Sequence, residues 1–194
     1  MRVGFCLAMV LTAAPVFAQA SGGAQRVTAA VRLQQQYNQA KTNLTQSAEK
    51  MTEETATFKP SADVRTFAGV FAHVAQFHYI WCAQFKGGTN PNQDNLEQTK
   101  TTRADALKAL TDSFAYCDDA FASLTDETMA QMVPGRGGEQ SKVVPLMNLI
   151  AHDNEEYGIA TIYLRMKGLV PPSTENAGRG RGAPGGAGRG RGRE

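Results

Sequence analysis

Two side chains that could bind a metal ion lie four residues apart near the C-terminal end of the chain. His152 and Glu156 would share one face of a helix, separated by a single turn. The apolar residues Leu149, Ile159 and Tyr163 lie on the same stripe. An imidazole and a carboxylate on an apolar stripe either cost desolvation energy or are held by a ligand. A metal site is therefore one interpretation of this spacing. The other interpretation is that Glu156 makes an ordinary hydrogen bond or salt bridge. Spacing alone favours this second interpretation, because a His-x3-Glu pair on a helix is common.

The helix that would carry this pair is predicted to begin between Ser141 and Pro145 and to end at Gly168. Three further segments have apolar residues at helical spacing. Ser61 or Asp63 could cap the second of them. The predicted helices cover Arg26–Glu54, Asp63–Lys86 and Leu96–Leu124.

The helix predicted over Asp63–Lys86 is apolar nearly all round, which is typical of a central helix in a bundle. The sequence shows neither a β-hairpin signal nor an alternating strand pattern. We therefore predict an all-α four-helix bundle over residues 25–170.

Both ends of the chain differ in composition from this domain. Arg2, an apolar run over residues 3–16 and small residues near Ala18 and Ala20 are typical of an export signal, so residues 1–20 are predicted to be cleaved. The run is shorter than the roughly 20 residues of a spanning helix, which disfavours the alternative of a membrane anchor. No other stretch could cross a bilayer. The protein is therefore expected to be periplasmic or secreted.

Residues 173–194 are rich in Gly and Arg, lack a hydrophobic pattern, and are predicted to be disordered. The tail resembles RNA-binding Arg-Gly segments but has no aromatic residues for stacking. Formal net charge is only +2, and the tail contributes much of the positive charge, so the folded body is somewhat acidic. We expect no specific nucleic-acid partner.

The residues of the second and fourth helices resemble those of the DinB/YfiT-like superfamily, in particular those of an exported bacterial subgroup. The resemblance rests on FAHVA at residues 71–75, HDNEEYG at 152–158 and YLRMKGLVPP at 163–172. It implies an up-down-down-up bundle with a metal held by one histidine of helix two and two positions of helix four. Relatives include thiol-dependent transferases and a metal-dependent hydrolase-like group.

The metal triad that the resemblance implies consists of His73, His152 and Glu156. The family pattern has histidine where this chain has Glu156. A His2Glu set can bind zinc, nickel, manganese or iron, so the resemblance implies a divalent metal without fixing its identity. Glu155 could compete with Glu156 but lies about 60° further round the helix relative to His152.

Other polar residues near this triad have ordinary structural interpretations. His78 is rotated about 140° from His73, so we interpret it as a buried, hydrogen-bonded histidine. Tyr163 shares the His152 face and is a candidate for orienting the metal ligands. Asp153 and Tyr157 are rotated away and are expected to be packing or solvated residues.

Cys82 and Cys117 remain after signal removal, whereas Cys6 would be lost with the signal. Export favours a disulfide, and buried thiols are the alternative. The parallel second and third helices implied by the resemblance would bring the two cysteines to matching ends, where a Cys82–Cys117 disulfide fits. Metal ligation by Cys82 is disfavoured because it points away from His73, and a redox role is disfavoured by the absence of a CxxC spacing.

Two functions are therefore expected from the sequence. The first is an exported metal-binding bundle acting as a hydrolase or thiol-type transferase on an unknown small molecule. The second is a non-catalytic, disulfide-stapled binding or structural module with a degenerate metal site. A homodimer is left open, because no exposed apolar stripe is distinct enough to predict one.

Overall fold

The computed structural model describes residues 27–135 and 137–181, and within them the chain forms a helical bundle with one small hairpin. Four of the helices are long and span Ala29–Glu49, Phe67–Lys86, Arg103–Ala122 and Val144–Met166. In chain order the elements are α1 (Ala29–Glu49), α2 (Glu53–Ala56), α3 (Phe67–Lys86), α4 (Leu96–Thr99), α5 (Arg103–Ala122), α6 (Asp126–Ala130), β1 (Met132–Gly135), β2 (Gly138–Ser141), α7 (Val144–Met166) and α8 (Pro172–Arg181).

Side-chain pairs between α3 and α5 show that these two helices run parallel. Cys82 is bonded to Cys117, and His78 hydrogen-bonds Ser113, with the same separation of 35 residues in both pairs. A constant sequence separation between contacting residues means that the two helices run in the same direction. The parallel arrangement therefore brings Cys82 and Cys117 to matching ends of the two helices, as the resemblance implied.

The other long helices run against this pair. From α1, Gln34 donates to the carbonyl oxygen of Phe121, whereas Lys41, further along, bonds Asp118 of α5. Residue numbers thus rise on α1 while they fall on α5, as in an antiparallel pair. The contacts between α3 and α7 also show an antiparallel pair, because His73 faces Glu156 whereas Phe77, further along α3, faces His152. The long helices therefore have the expected up-down-down-up arrangement.

The central position of α3 agrees with its apolar sequence. All residues from 67 to 75 are buried, and the helix packs against both α5 and α7. The large, fully buried side chains of the core come from all four long helices: Tyr37, Leu44, Phe67, Phe71, Leu110, Phe114, Leu146, Leu149 and Leu164. Burial of this apolar surface supplies the main stabilisation of the bundle.

The start of α3 differs from the prediction. Neither Ser61 nor Asp63 caps it; the Thr66 side chain instead accepts a hydrogen bond from the backbone N–H of Gly69. The helix therefore begins at Phe67. A capping threonine satisfies one of the free N–H groups of the first turn, which fixes where the helix starts.

Two of the predicted helices are interrupted in the structure. The segment Arg26–Glu54 contains α1 and the start of α2, because a capping box around Thr52 begins a new turn. The segment Leu96–Leu124 contains α4 and α5, and the Thr102 side chain caps the latter. Both breaks are set by capping threonines, which the apolar pattern does not show.

The hairpin between α6 and α7 was not predicted from the sequence. β1 and β2 pair antiparallel, with Met132 opposite Ser141 and Gly135 opposite Gly138. At the open end of the hairpin, the N–H of Lys142, just after β2, donates to the carbonyl oxygen of Gln131, just before β1, at 2.6 Å. Each strand has only four residues and includes a glycine, and β1 also contains Pro134, so neither shows enough alternation to be detected from sequence.

The start of the Gly/Arg-rich tail is helical, in contrast to the predicted disorder from Ser173. It docks on the bundle through Lys50, which bonds Glu175 at 2.8 Å, and through Tyr157, whose hydroxyl bonds the Ser173 hydroxyl at 2.7 Å. Composition indicates how little apolar surface a segment can bury, but it does not reveal such polar docking contacts. The rest of the tail, the predicted signal peptide and Cys6 lie outside the described residues. Among the helices of the described ranges, none is long and apolar enough to cross a membrane.

Candidate metal centre

The antiparallel packing of α3 on α7 brings His73, His152 and Glu156 together. Nε2 of His73 lies 3.6 Å from Oε1 of Glu156, and Nε2 of His152 lies 3.9 Å from the same oxygen. The two imidazole centroids are 4.9 Å apart. One ligand atom from each residue lies within 4.8 Å of the others, so the three form a possible metal-binding group.

The polar atoms of this group fit a cation. Both ring nitrogens of His152 and Oε2 of Glu156 are buried and have no hydrogen-bond partner within the described part of the chain. Leaving buried polar atoms without partners costs about 1–3 kcal/mol each. Nitrogen and oxygen ligands about 2.1 Å from a tetrahedral ion would be about 3.4 Å apart, close to the separations from Glu156. The donor set and its spacing therefore suit a divalent metal.

Burial shifts the titration of all three residues. It lowers the pKa of His152 to about 3, aided by the nearby His73, His78 and Arg65. It also lowers the pKa of His73, although the hydrogen bond to Glu97 opposes this shift. Both imidazoles are therefore neutral at neutral pH, which is the form that binds metals.

The carboxyl group of Glu156 shifts in the opposite direction. Burial raises its pKa to about 7, even though the positive charge of Arg65 acts against the shift. Only 4 % of the residue is exposed. A carboxylate at this position is thus held in an environment that disfavours its charge unless a cation is near.

Glu97, which the sequence did not single out, orients His73. Its Oε1 accepts a hydrogen bond from Nδ1 of His73, while Nε2 of the same ring faces Glu156. A carboxylate behind a metal-binding histidine fixes the ring orientation and raises its basicity. Glu97 lies on the short helix α4, which has no spacing relation to α3 or α7, so no sequence pattern pointed to it.

Arg65 is the second residue of the site that the sequence did not reveal. Its Nε donates to Oε2 of Glu97 at 2.9 Å, and its Nη2 lies 3.0 and 3.3 Å from the two ring nitrogens of His73. Its Nη1 lies 3.9 Å from Oε1 of Glu156, beyond hydrogen-bonding distance. The guanidinium thus places a positive charge beside the triad without satisfying the Glu156 carboxylate.

Tyr163 reaches the site only through Arg65. Its hydroxyl donates to the backbone carbonyl oxygen of Arg65 at 2.7 Å, and its ring stacks on Phe67 with centroids 5.3 Å apart. This contact ties the segment before α3 to α7. Tyr163 therefore holds the residue that contacts His73 and does not itself touch the triad's polar atoms.

His78 is buried and hydrogen-bonded, as the sequence indicated, but its partner Asp153 is not a solvated residue. The His78 ring nitrogens lie 3.0 Å from the Ser113 hydroxyl and 2.8 Å from Oδ1 of Asp153. Burial raises the pKa of Asp153, and the nearby His78 opposes this shift. All three residues are completely buried, so this Ser-His-Asp chain has no substrate access and holds α3, α5 and α7 together. Of the two interpretations of Asp153, packing is therefore the correct one, because α7 buries more than one stripe in the bundle.

The disulfide between Cys82 and Cys117 joins α3 to α5, with the two Cα atoms 5.5 Å apart. Both sulfur atoms are therefore committed to each other and do not act as metal ligands. Since Cys82 follows His73 by nine residues on α3, the bridge lies towards the opposite end of the helix.

Two clefts lie along the α3–α7 groove, one on each side of the triad. Arg65, Glu97 and Tyr163 line the first, together with apolar residues, and its volume is about 560 Å³. The second has a volume of about 330 Å³, and Phe77 and Trp81 contribute to its lining. The apolar lining of the first cleft comes from Pro60, Val64, Val70, Ile159 and Ile162.

Comparison with known proteins agrees with the fold. A DinB-like protein from Bacillus cereus has 16% sequence identity and a TM-score of 0.62, over 72% of this chain and 93% of its own. A conserved protein from Enterococcus faecalis has 12% identity and a TM-score of 0.58, over 72% and 97%. A DinB-like protein from Bacillus subtilis has 16% identity and a TM-score of 0.54, over 72% and 93%.

Sequence comparison identifies the family directly. No curated protein matches the chain. The family model described as the DinB superfamily matches residues 36–156, which include all three members of the triad and both cysteines of the disulfide. With the helical bundle that the solved structures share, this match places the chain in the DinB superfamily.

Proposed function

We propose that the chain is an exported protein that binds one divalent metal ion through His73, His152 and Glu156 and acts on a small molecule as a hydrolase or thiol-type transferase. The observation that carries this proposal is the set of buried, unpartnered polar atoms on His152 and Glu156. Such atoms destabilise the bundle unless something binds them. The mixed nitrogen and oxygen set is compatible with zinc, nickel, manganese or iron.

A divalent ion held by three protein ligands would supply Lewis-acid chemistry at a remaining open position. The chain prepares this site in two ways. Glu97 keeps the His73 ring turned with Nε2 towards Glu156, and Arg65 keeps a positive charge beside the place where a substrate would develop negative charge. Neither residue needs to move to perform these roles.

The 560 Å³ cleft is the proposed substrate site. It shares Arg65 and Glu97 with the metal centre, so a molecule bound there would lie next to the triad. Its volume falls within the usual range for small-molecule sites, and its walls are mostly apolar. Val64 and Ile162 at this cleft are 40 % and 54 % exposed, which suits an occupant with an apolar part.

Export is supported by the N-terminal sequence and by the disulfide. Cys82–Cys117 fits an oxidising compartment, where such bonds persist. Sequencing the N-terminus of the protein recovered from the cell envelope tests this part of the proposal. A start near residue 21 is expected; retention of Met1 in the cytoplasm would contradict it.

Arg65 favours one alternative function, a non-catalytic binding or structural module. Its guanidinium already lies against His73 and pairs with Glu97. The Arg65 side chain could therefore supply the positive charge that a metal ion would otherwise bring to the site. In that case Glu156 would be stabilised by Arg65 alone, across the 3.9 Å separation of their atoms.

Metal analysis of the purified protein separates the two functions. After incubation with zinc, nickel or manganese at neutral pH and removal of free metal, wild-type protein should hold one ion per chain. His152→Ala should lose it, whereas Glu155→Gln, with the carboxylate next to the site removed, should keep it. Absence of bound metal from the wild type with all three ions would favour the module. Metal retained equally by His152→Ala would also contradict the proposed site.

A further inference from the structure

The cleft on the other side of the triad has a different lining. Its α3 wall consists of Phe77, Ile80, Trp81 and Gln84, which are spaced to lie on one face of the helix. Asn148 contributes from α7, one turn before His152. The cleft therefore has two aromatic rings on one side and amide side chains around them.

The aromatic side of this cleft is in contact with the metal centre. The centroids of the Phe77 and Trp81 rings lie 4.9 and 5.1 Å from that of His152. The two rings also touch each other, with centroids 5.0 Å apart. A molecule packed on these rings would therefore lie against the same aromatic cluster that surrounds a proposed metal ligand.

The hairpin supplies the third amide. Gln140 of β2 lines the cleft, and its side chain lies over Gly135 of β1. A Cβ atom on residue 135 would lie only 2.6 Å from Cδ of Gln140. The glycine at this position therefore leaves room for the Gln140 side chain. The hairpin thus brings a hydrogen-bonding group to the end of the groove.

All three amides are available to a ligand. Within the described ranges, the side chains of Gln84, Gln140 and Asn148 make no hydrogen bond to the protein. An amide offers both donors and acceptors, so together they can match a group that also has both. No residue that lines the cleft carries a charge. A charged ligand would therefore lose hydration without compensation.

We propose that this cleft, lined by Phe77, Trp81, Gln84, Gln140 and Asn148, binds an uncharged aromatic carboxamide group. The ring would stack on Trp81 and Phe77, as aromatic pairs do at centroid distances of about 4.5–7 Å. The carboxamide edge would bond the side-chain amides. This site is separate from the apolar cleft at Arg65, and its ligand binding does not require the metal.

Titration with benzamide, followed by ¹H–¹⁵N spectroscopy, tests the proposal. Trp81 is the only tryptophan of the chain, so its indole N–H is a unique reporter inside the cleft. Benzoate has the same shape with a charge, and acetamide has the amide without the ring. Benzamide should shift the indole signal saturably and bind at least about tenfold more tightly than either control, because both stacking and neutral hydrogen bonds contribute. Equal binding of benzoate would overturn the proposal.

Variants show whether the amides are responsible. The double variant Gln140→Leu/Asn148→Leu should weaken benzamide binding about tenfold, and Gly135→Ala should weaken it by displacing the Gln140 side chain. Gln36→Leu on the exposed surface of α1 should leave it unchanged. Unaltered benzamide binding in the double variant would also overturn the proposal.

The experiment is independent of the metal. Titrations are run with zinc and with a chelator, and zinc content is measured for each variant. Benzamide binding without any bound zinc would leave this inference standing while the metal-dependent function failed. Zinc binding without benzamide binding would overturn this inference and leave the metal-dependent function standing.

Discussion

Replacing Glu156 by glutamine should stabilise the metal-free protein at alkaline pH and abolish metal binding. Glu156 is 4 % exposed, and burial raises its pKa from an ordinary 4.5 to about 7. Folding the charged carboxylate into this environment is therefore unfavourable when no metal is present. Glutamine keeps the size of the side chain and removes the charge.

The sign and size of this effect follow from the two pKa values. In the unfolded chain Glu156 loses its proton from about pH 4.5, whereas in the folded chain it keeps the proton until about pH 7. The stabilisation by protonated Glu156 is complete below pH 4.5 and is lost as the pH rises through 7. A difference of about 2.5 units corresponds to about 3 kcal/mol. The advantage of Glu156→Gln should thus grow by up to that amount between pH 4.5 and 8.

Urea unfolding in the presence of a chelator, at several pH values, measures this advantage. The pKa of His152 is lowered by burial, so stability is lost as the pH falls from about 6.5 to about 3. That loss is present in both proteins and cancels in their difference. Glu155→Gln is the matched control, because it removes an exposed carboxylate one residue away. Zinc at 100 times its dissociation constant should stabilise the wild type by about 2.7 kcal/mol and should not stabilise Glu156→Gln.

A difference in unfolding free energy that stays flat from pH 4.5 to 8 would refute this reasoning. It would mean that Arg65, 3.9 Å from the carboxylate, already compensates the charge. An equal pH-dependent gain in Glu155→Gln would show that the effect reflects general repulsion between carboxylates and not burial at the site.

Three further predictions concern the disulfide, Glu97 and the pH dependence of metal binding. Replacing Cys82 and Cys117 by alanine removes a crosslink across 35 residues, which should cost about 4 kcal/mol in urea unfolding; a loss below 1 kcal/mol would contradict the chain-entropy account. Glu97→Ala should weaken zinc binding by about 10–100-fold in calorimetric titration, because His73 loses the carboxylate that orients its ring; unchanged affinity would exclude that role. Zinc affinity of the wild type should fall about tenfold per pH unit from pH 6.5 to 5, since Glu156, with a pKa of about 7, must lose its proton to bind; an affinity constant over that range would contradict it.

The sequence predicted the bundle because its long helices follow simple rules. Apolar periodicity identified the cores of α1, α3, α5 and α7, and Gly168, at a backbone φ of +71°, ends the last of them as expected. The convergence of His152 with Glu156 follows from helix geometry alone. Bringing His73 to them needed the resemblance, because no local pattern fixes which faces of α3 and α7 meet.

The surroundings of the triad could not be predicted in the same way. Arg65 lies before α3, and Glu97 lies on a four-residue helix, so their contacts with His73 arise from tertiary packing. Gln140 reaches the second cleft through a hairpin whose strands are too short for a periodic signal. Periodicity describes one helix at a time, whereas these residues are placed by how separate elements meet.

X-ray diffraction at the zinc absorption edge, from crystals grown with zinc, tests the central claim most directly. An anomalous peak enclosed by His73, His152 and Glu156 is predicted, with no peak at this position in crystals of Glu156→Gln. An anomalous map without a peak between these three side chains in the wild type, at a zinc concentration that saturates surface sites, would contradict the account.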